Sequence, residues 1–195
     1  MRVINRLNLG KQRSLLAVLA IVGGLLMSQA FAAGDDAGEG GLFNHELRRL
    51  HSSETVNLQT LAAGAPAVLV VNTASHCGFT GQFEGLEALH QDFAPRGLKV
   101  IGFSSDSFNQ EADSEAAAAD TCYVNFGVTF DMMATVPVRG ANAHPLFAEL
   151  ARQSRAPRWN FNKYLINPAG EVVEVFGAMT KPSSAKMREA IEALL

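Results

Sequence analysis

Cysteine is scarce in this chain of 195 residues, which has only Cys77 and Cys122, 45 positions apart. No second thiol follows Cys77 within the next few residues, which argues against the paired-cysteine turn of a disulfide-exchange catalyst and against a copper site built on a cysteine pair. Lys and Arg number sixteen and form no cluster, so the phosphate-neutralising surface of a nucleic-acid binder is missing. A membrane-spanning run is missing too. Residues 15–27 (LLAVLAIVGGLLM) are apolar throughout, but thirteen residues at about 1.5 Å each reach only about 20 Å, short of a hydrocarbon core of about 30 Å. Neither an internal repeat nor a second domain is visible. With 48% hydrophobic and 18% charged residues, the remaining composition suits one compact α/β domain.

That short apolar run has a different context. Arg2, Arg6, Lys11 and Arg13 precede it without a single acid, and Ala30-Phe31-Ala32 follows it with the small residues a signal peptidase requires. Residues 1–32 therefore read as a cleaved signal peptide, which predicts a periplasmic or secreted protein with no membrane span after processing. No cysteine lies there to carry a lipid. Cleavage would leave twelve basic against nineteen acidic residues, a net charge of −7. Residues 33–41 (AGDDAGEGG) are too poor in apolar surface to pack and read as a flexible lead-in, so the folded domain is expected over 42–195. In an exported protein two cysteines can also form a plain structural disulfide, and that reading stays open at this point.

Within the domain, residues 67–71 (AVLVV) read as a buried central strand. Phe83, Leu86, Leu89 and Phe93 then fall at helical spacing until Pro95 and Gly97 stop the helix, and 98–103 (LKVIGF) forms the next strand of a βαβ unit. Ser114 caps a second helix, expected to run to about Phe126 and to carry Cys122. A shorter helix follows over about 144–151. Residues 161–167 and 171–176 read as a hairpin around Pro168-Ala169-Gly170, and a closing helix covers about 183–195. This order predicts a thioredoxin-like α/β fold, a central mixed sheet flanked by helices.

Cys77 follows the first central strand and precedes the first long helix, within Asn72-Thr73-Ala74-Ser75-His76-Cys77-Gly78-Phe79-Thr80. The carboxyl end of a strand is where reactive groups gather in α/β sheets, and a thiol at a helix start faces unpaired N–H groups. His76 beside it reads as an incidental, solvated side chain.

The stretch NTASHCGFTGQ, ending at Gln82, resembles the first motif of the glutathione peroxidase family, approximately N-V-A-S-x-C-G-F-T-x-Q. Trp159-Asn160-Phe161-Asn162-Lys163-Tyr164-Leu165 is similar to the family's W-N-F-x-K-F-L. Ile101-Gly102-Phe103 with Phe108 and Gln110-Glu111, and His144-Pro145-Leu146-Phe147, resemble two further segments, so the likeness spans about 42–195. It implies a thiol peroxidase for antioxidant defence with a tetrad of Cys, Gln, Trp and Asn. Cys77, Trp159 and Asn160 fill three places. At the glutamine position, where the family reads N-Q-F, the chain has Asp106-Ser107-Phe108, which places Ser107 there, with Gln110 three residues on as a substitute.

The same resemblance implies that Cys77 reduces hydrogen peroxide or an organic hydroperoxide to leave a sulfenic acid, that Cys122 resolves it as a disulfide, and that a thioredoxin-like protein or glutathione reduces that disulfide. Local unwinding of the Cys122 helix is expected in that step. No cofactor and no metal are implied. Only eight residues separate Leu150 from Trp159, where tetrameric relatives carry a longer insertion, so a monomer is expected. The alternative is an exported thiol-disulfide oxidoreductase or metal-delivery protein of the same fold.

Overall fold

The computed structural model describes residues 41–195, so the signal peptide expected over 1–32 and nearly all of the expected lead-in lie outside the described residues. At its centre is β3 (Ala67–Thr73), buried along its whole length as a strand covered on both faces must be. Its side chains alternate between two apolar layers: Leu69 and Val71 pack with Leu86, Phe161 and Met187, whereas Val68 and Val70 pack with Ile101, Phe103 and Tyr164.

After a turn, α2 (Gln82–Phe93) buries Phe83, Leu86, Leu89 and Phe93, the stripe expected from the spacing. A 3-10 turn over Ala94–Arg96 ends it at Gly97, whose φ of 109° is left-handed and where a methyl group would lie 2.7 Å from Pro66. β4 (Leu98–Ser104) then runs parallel to β3, completing the βαβ unit, with Val70 opposite Ile101. On the other side of β3 lies β6 (Lys163–Ile166), antiparallel, followed by β7 (Val172–Phe176) across the turn at Gly170. Ser184 caps α5 (Ala185–Glu192). With β5 (Asp131–Met133) at one edge, the five-stranded mixed sheet has the order β5-β4-β3-β6-β7 with helices about it, a thioredoxin-like fold.

Four elements were not foreseen and a fifth differs. β1 (Glu46–Arg48) and β2 (Thr55–Asn57) form a small antiparallel hairpin, and α1 (Leu58–Ala62) follows under an Asn57 cap. β5 (Asp131–Met133) extends the sheet parallel to β4. The expected helix over 114–126 begins as foreseen at Ser114, but α3 proper is only Glu115–Ala119. From Asp120 to Asn125 the backbone widens into a π-helix that carries Cys122. The chain turns at Gly127, φ 63°, and the Val128 N–H reaches back 3.0 Å to the Cys122 carbonyl, closing the end of this segment. α4 (Pro145–Gln153) packs Leu146, Phe147 and Leu150 inward. Among the described residues no helix is long and apolar enough to cross a membrane.

Candidate active site

Cys77 sits in the turn between β3 and α2, one turn ahead of the helix start rather than on it. Thr80 ties this turn: its N–H donates to the Cys77 carbonyl at 3.0 Å, and its Oγ1 accepts the Cys77 N–H at 3.1 Å while lying 3.0 Å from the Ala74 carbonyl. The sulfur, in a residue only 7% exposed, accepts from the Phe79 N–H at 3.5 Å. Gly78 beside it is exposed, with open space where a side chain would stand. His76 is also exposed, and only its backbone takes part, donating to the Gln110 carbonyl at 2.9 Å.

The loop after β4 holds the other side of the turn. Glu111 accepts from the Ser75 N–H at 3.0 Å, from the Ser75 hydroxyl, and from the Ser104 hydroxyl at 2.8 Å. Thus the residues before Cys77 are pinned to the end of β4.

Trp159 and Asn160 arrive on the segment before β6, and a residue given no role from the sequence, Asn72 of β3, anchors both. Its side-chain amide donates to the Trp159 carbonyl at 3.1 Å, its carbonyl accepts from the Phe161 N–H at 2.6 Å, and its N–H donates to the Asn162 carbonyl at 3.3 Å. Between these bonds Phe161 takes φ 58°, a left-handed conformation costing about 1–3 kcal/mol for such a residue, which the bonds and the buried ring offset. Asn160 is thereby fully buried, with Nδ2 donating to Gln110 Oε1 at 3.0 Å. Its Oδ1 has no partner among the described residues. Trp159 is 38% exposed and tilts against Phe108 at 5.3 Å between ring centroids.

Ser107 points elsewhere. Its hydroxyl accepts from the Val138 N–H at 3.0 Å and makes no hydrogen bond to Cys77, Trp159 or Asn160. The loop instead doubles back, with Asn109 at φ 55° and its N–H on the Asp106 carbonyl at 2.9 Å, and so delivers Gln110 to Asn160. Register along an N-x-F pattern does not reveal this, because the turn decides which side chain faces inward.

Cys122 is 1% exposed, in the same apolar cluster as Cys77, Phe83 and Phe161. Both cysteines are free thiols. Burial pushes the Cys122 thiol up to about 12, and the carboxylate of Glu111 adds to that. On the far side of the turn, fully buried Lys163 donates to Gln82 Oε1 and to the Thr180 carbonyl at 2.9 Å, and burial pulls its ammonium down to about 7. Gln82 in turn donates to the Ala178 carbonyl at 2.6 Å. Among the described residues no group of three or more His, Cys, Asp or Glu is placed to hold a metal ion.

The Cys77 turn at the end of β3 is thus tied, through the backbone of Gln110, to the buried Asn160 amide that follows Trp159. A family model described as glutathione peroxidase matches residues 42–151, more than half of the chain. The chain belongs to the glutathione peroxidase family. A glutathione peroxidase of Lactococcus lactis is 40% identical over 150 residues, which cover 74% of this chain and 93% of that relative. A glutathione peroxidase-like peroxiredoxin of Saccharomyces cerevisiae is 42% identical over 135 residues, 66% of this chain and 82% of its own. The crystal structure of Trgpx in apo form superposes with a TM-score of 0.59 at 29% identity, covering 79% of this chain and 97% of that one. Within this glutathione peroxidase framework the amide that meets Asn160 belongs to Gln110, while Ser107 is spent on the loop at Val138.

Proposed function

We propose that the protein is a thiol peroxidase in which Cys77 is the nucleophile and Trp159, Asn160 and Gln110 stabilise the charge that leaves. The observation that carries this reading is the amide pair of buried Asn160 with half-buried Gln110, tied to the Cys77 turn through the Gln110 carbonyl. The Cys77 thiolate attacks one peroxide oxygen, so that an S–O bond forms as the O–O bond breaks. Sulfur loses two electrons and becomes a sulfenic acid; the departing alkoxide or hydroxide takes up a proton and leaves as alcohol or water. Negative charge moves from sulfur to oxygen. The Trp159 N–H and the second amide hydrogen of Asn160 are donors only, suited to that developing charge, and the Gln110 amide nitrogen adds further hydrogens.

Cys122 is the resolving thiol in this reading. Its sulfur condenses with the Cys77 sulfenic acid, releasing water and forming a disulfide, which a thioredoxin-like dithiol then reduces by exchange. A thiol 1% exposed and held protonated by burial does not attack from within the closed core, so residues 120–125 open first. A protein dithiol is favoured over glutathione because a second cysteine is present to form a disulfide open to exchange. Export through the 1–32 leader and a monomeric state complete the proposal.

Hydroperoxide consumption by the reduced protein tests it. Cys77→Ser abolishes turnover; if consumption continues at the original rate, the reading fails. In wild type one equivalent of peroxide yields a Cys77–Cys122 disulfide, and Cys122→Ser leaves a sulfenic acid that dimedone traps.

A further inference from the structure

Among the described residues Lys163 is the only fully buried side chain that carries a charge, and the peroxidase chemistry set out above makes no use of it. In the sheet it is flanked by Val71 of β3 and Phe176 of β7, both members of the apolar layer that holds Cys77 and Cys122. Apart from these two thiols, the titratable groups of the elements around it are exposed: Glu84 on α2, Lys181 before α5 and Lys186 on α5. None of them is bonded to its nitrogen, and burial alone shifts its ammonium. A buried cation without a carboxylate is a cost to the fold, and a methionine of similar length would lose less solvation there. The charge therefore calls for a use.

Its bonds supply one. The ammonium donates to Gln82 Oε1 and to the Thr180 carbonyl, and Gln82 Nε2 donates in turn to the Ala178 carbonyl, so one nitrogen joins the start of α2 to the loop 177–183. From Gln82 a path runs to the thiol. The Gln82 N–H donates to the Phe79 carbonyl at 2.8 Å, and the Phe79 N–H is the donor that stands 3.5 Å from the Cys77 sulfur. Gly78 and Phe79 border an open cavity of about 570 Å3 that also takes in Gln82 and, from the loop, Met179 and Pro182. The bonds at Gln82, rather than packing across that cavity, hold the loop and the turn in register.

We propose that Lys163 is a positioning residue for Cys77, whose charged form, acting through Gln82 and Phe79, keeps a backbone N–H on the reacting sulfur. A hydrogen bond from a charged donor is about twice as strong as one from a neutral donor, so the ammonium holds Gln82 harder than the free amine does. An N–H on the sulfur favours its thiolate. Because burial brings the ammonium down to about 7, the grip is firm below that pH and weaker above it. The inference rests on the peroxidase reading for the identity of the nucleophile, but its test needs no turnover.

Alkylation of Cys77 by iodoacetamide reads the effect, in a Cys122→Ser background that leaves one thiol. The rate of this protein is divided by that of the same protein carrying Lys163→Met, from about pH 5.5 to about pH 9. The ratio is expected to be about fivefold at the acid end, the margin of a charged over a neutral donor, and to fall to within about twofold at the alkaline end. Its midpoint lies near 7, where Lys163 titrates. Gln82→Leu with Lys163 in place gives the same loss, and the double variant is no slower than either single one. Lys163→Gln, also uncharged, replaces the methionine variant if that does not fold. A lysine that merely fills space gives a ratio that does not change with pH. A flat ratio, a ratio near one at about pH 6, a step only above about pH 8 where an ordinary thiol ionises, or losses that add with Gln82→Leu overturn the proposal. The same proteins are mixed with hydrogen peroxide. A thiol that keeps this alkylation signature yet is not oxidised would sink the peroxidase reading and leave the role of Lys163 standing.

Discussion

Truncation of Gln110 to alanine is the sharpest perturbation of the proposed chemistry. Its side-chain oxygen is the acceptor, at 3.0 Å, for the amide of a fully buried asparagine whose own oxygen already lacks a partner among the described residues. Removing it orphans a buried donor, which costs about 1–3 kcal/mol of stability, and frees Asn160 to rotate away from the position where oxygen takes up charge. Loss of one preorganised donor of this kind lowers the chemical step by about 10²–10³-fold. The backbone contact to His76 survives the substitution, so the Cys77 turn keeps its shape and the effect isolates the amide. The assay is stopped-flow oxidation of the reduced protein by hydrogen peroxide, followed by Trp159 fluorescence, with Ser107→Ala as the comparison. Ser107→Ala loses only the Val138 contact and is expected to stay within about threefold of wild type. A Gln110→Ala rate within threefold of wild type, beside a Ser107→Ala rate two orders lower, would refute the reasoning and return the glutamine role to position 107.

Other outcomes follow from groups around the site. Lys163 titrates near 7 in the fold against 10.5 for an ordinary lysine, so between those values the unfolded chain binds a proton that the folded chain does not. Stability therefore rises with pH through that window by up to about 1.36 kcal/mol per unit. Urea unfolding of wild type and Lys163→Met at about pH 7.5 and pH 9 should show the wild type gaining about 2 kcal/mol relative to the variant; parallel curves would mean that burial does not pull the Lys163 ammonium down. A methyl group at Gly102 would overlap the Met132 sulfur and lie 3.2 Å from Phe130 in the centre of the sheet. Gly102→Ala should cost about 1–3 kcal/mol in urea at unchanged m-value, and a loss below about 0.5 kcal/mol would show that the layer yields freely. In the reduced protein a thiol reagent should label Cys77 well before Cys122, as their surroundings differ in access to water; equal labelling times would mean that residues 120–125 are open in the ground state.

Much of this was legible in the residues because the signals were long or chemically specific. β3, α2 and β4 carry continuous apolar runs or a clear helical stripe, and Gly97 and Gly170 occupy left-handed turns that glycine tolerates best. Cys77, Trp159 and Asn160 lie in chemically specific motifs. The misses have common causes. β1, β2 and β5 are three residues each and exist only through their pairing, which no local pattern announces. The π-helix of Cys122 is closed at Val128, beyond the segment itself. Lys163 in KYLI looks like a solvated strand residue, and only the two oxygens facing it explain its burial. Asn72 reads as a motif letter until its three hydrogen bonds are seen.

Those three bonds bind together parts of the chain that are 87 residues apart, the span from Asn72 to Trp159. In the proposed chemistry the nucleophile and its charge acceptors thus hang from one rod, the strand on which Asn72 sits. Spacing at the reacting atoms is insulated from movement at the periphery. In the proposed cycle it is the π-helical turn that peels outward to present its sulfur, and none of the three bonds of Asn72 lies in that turn.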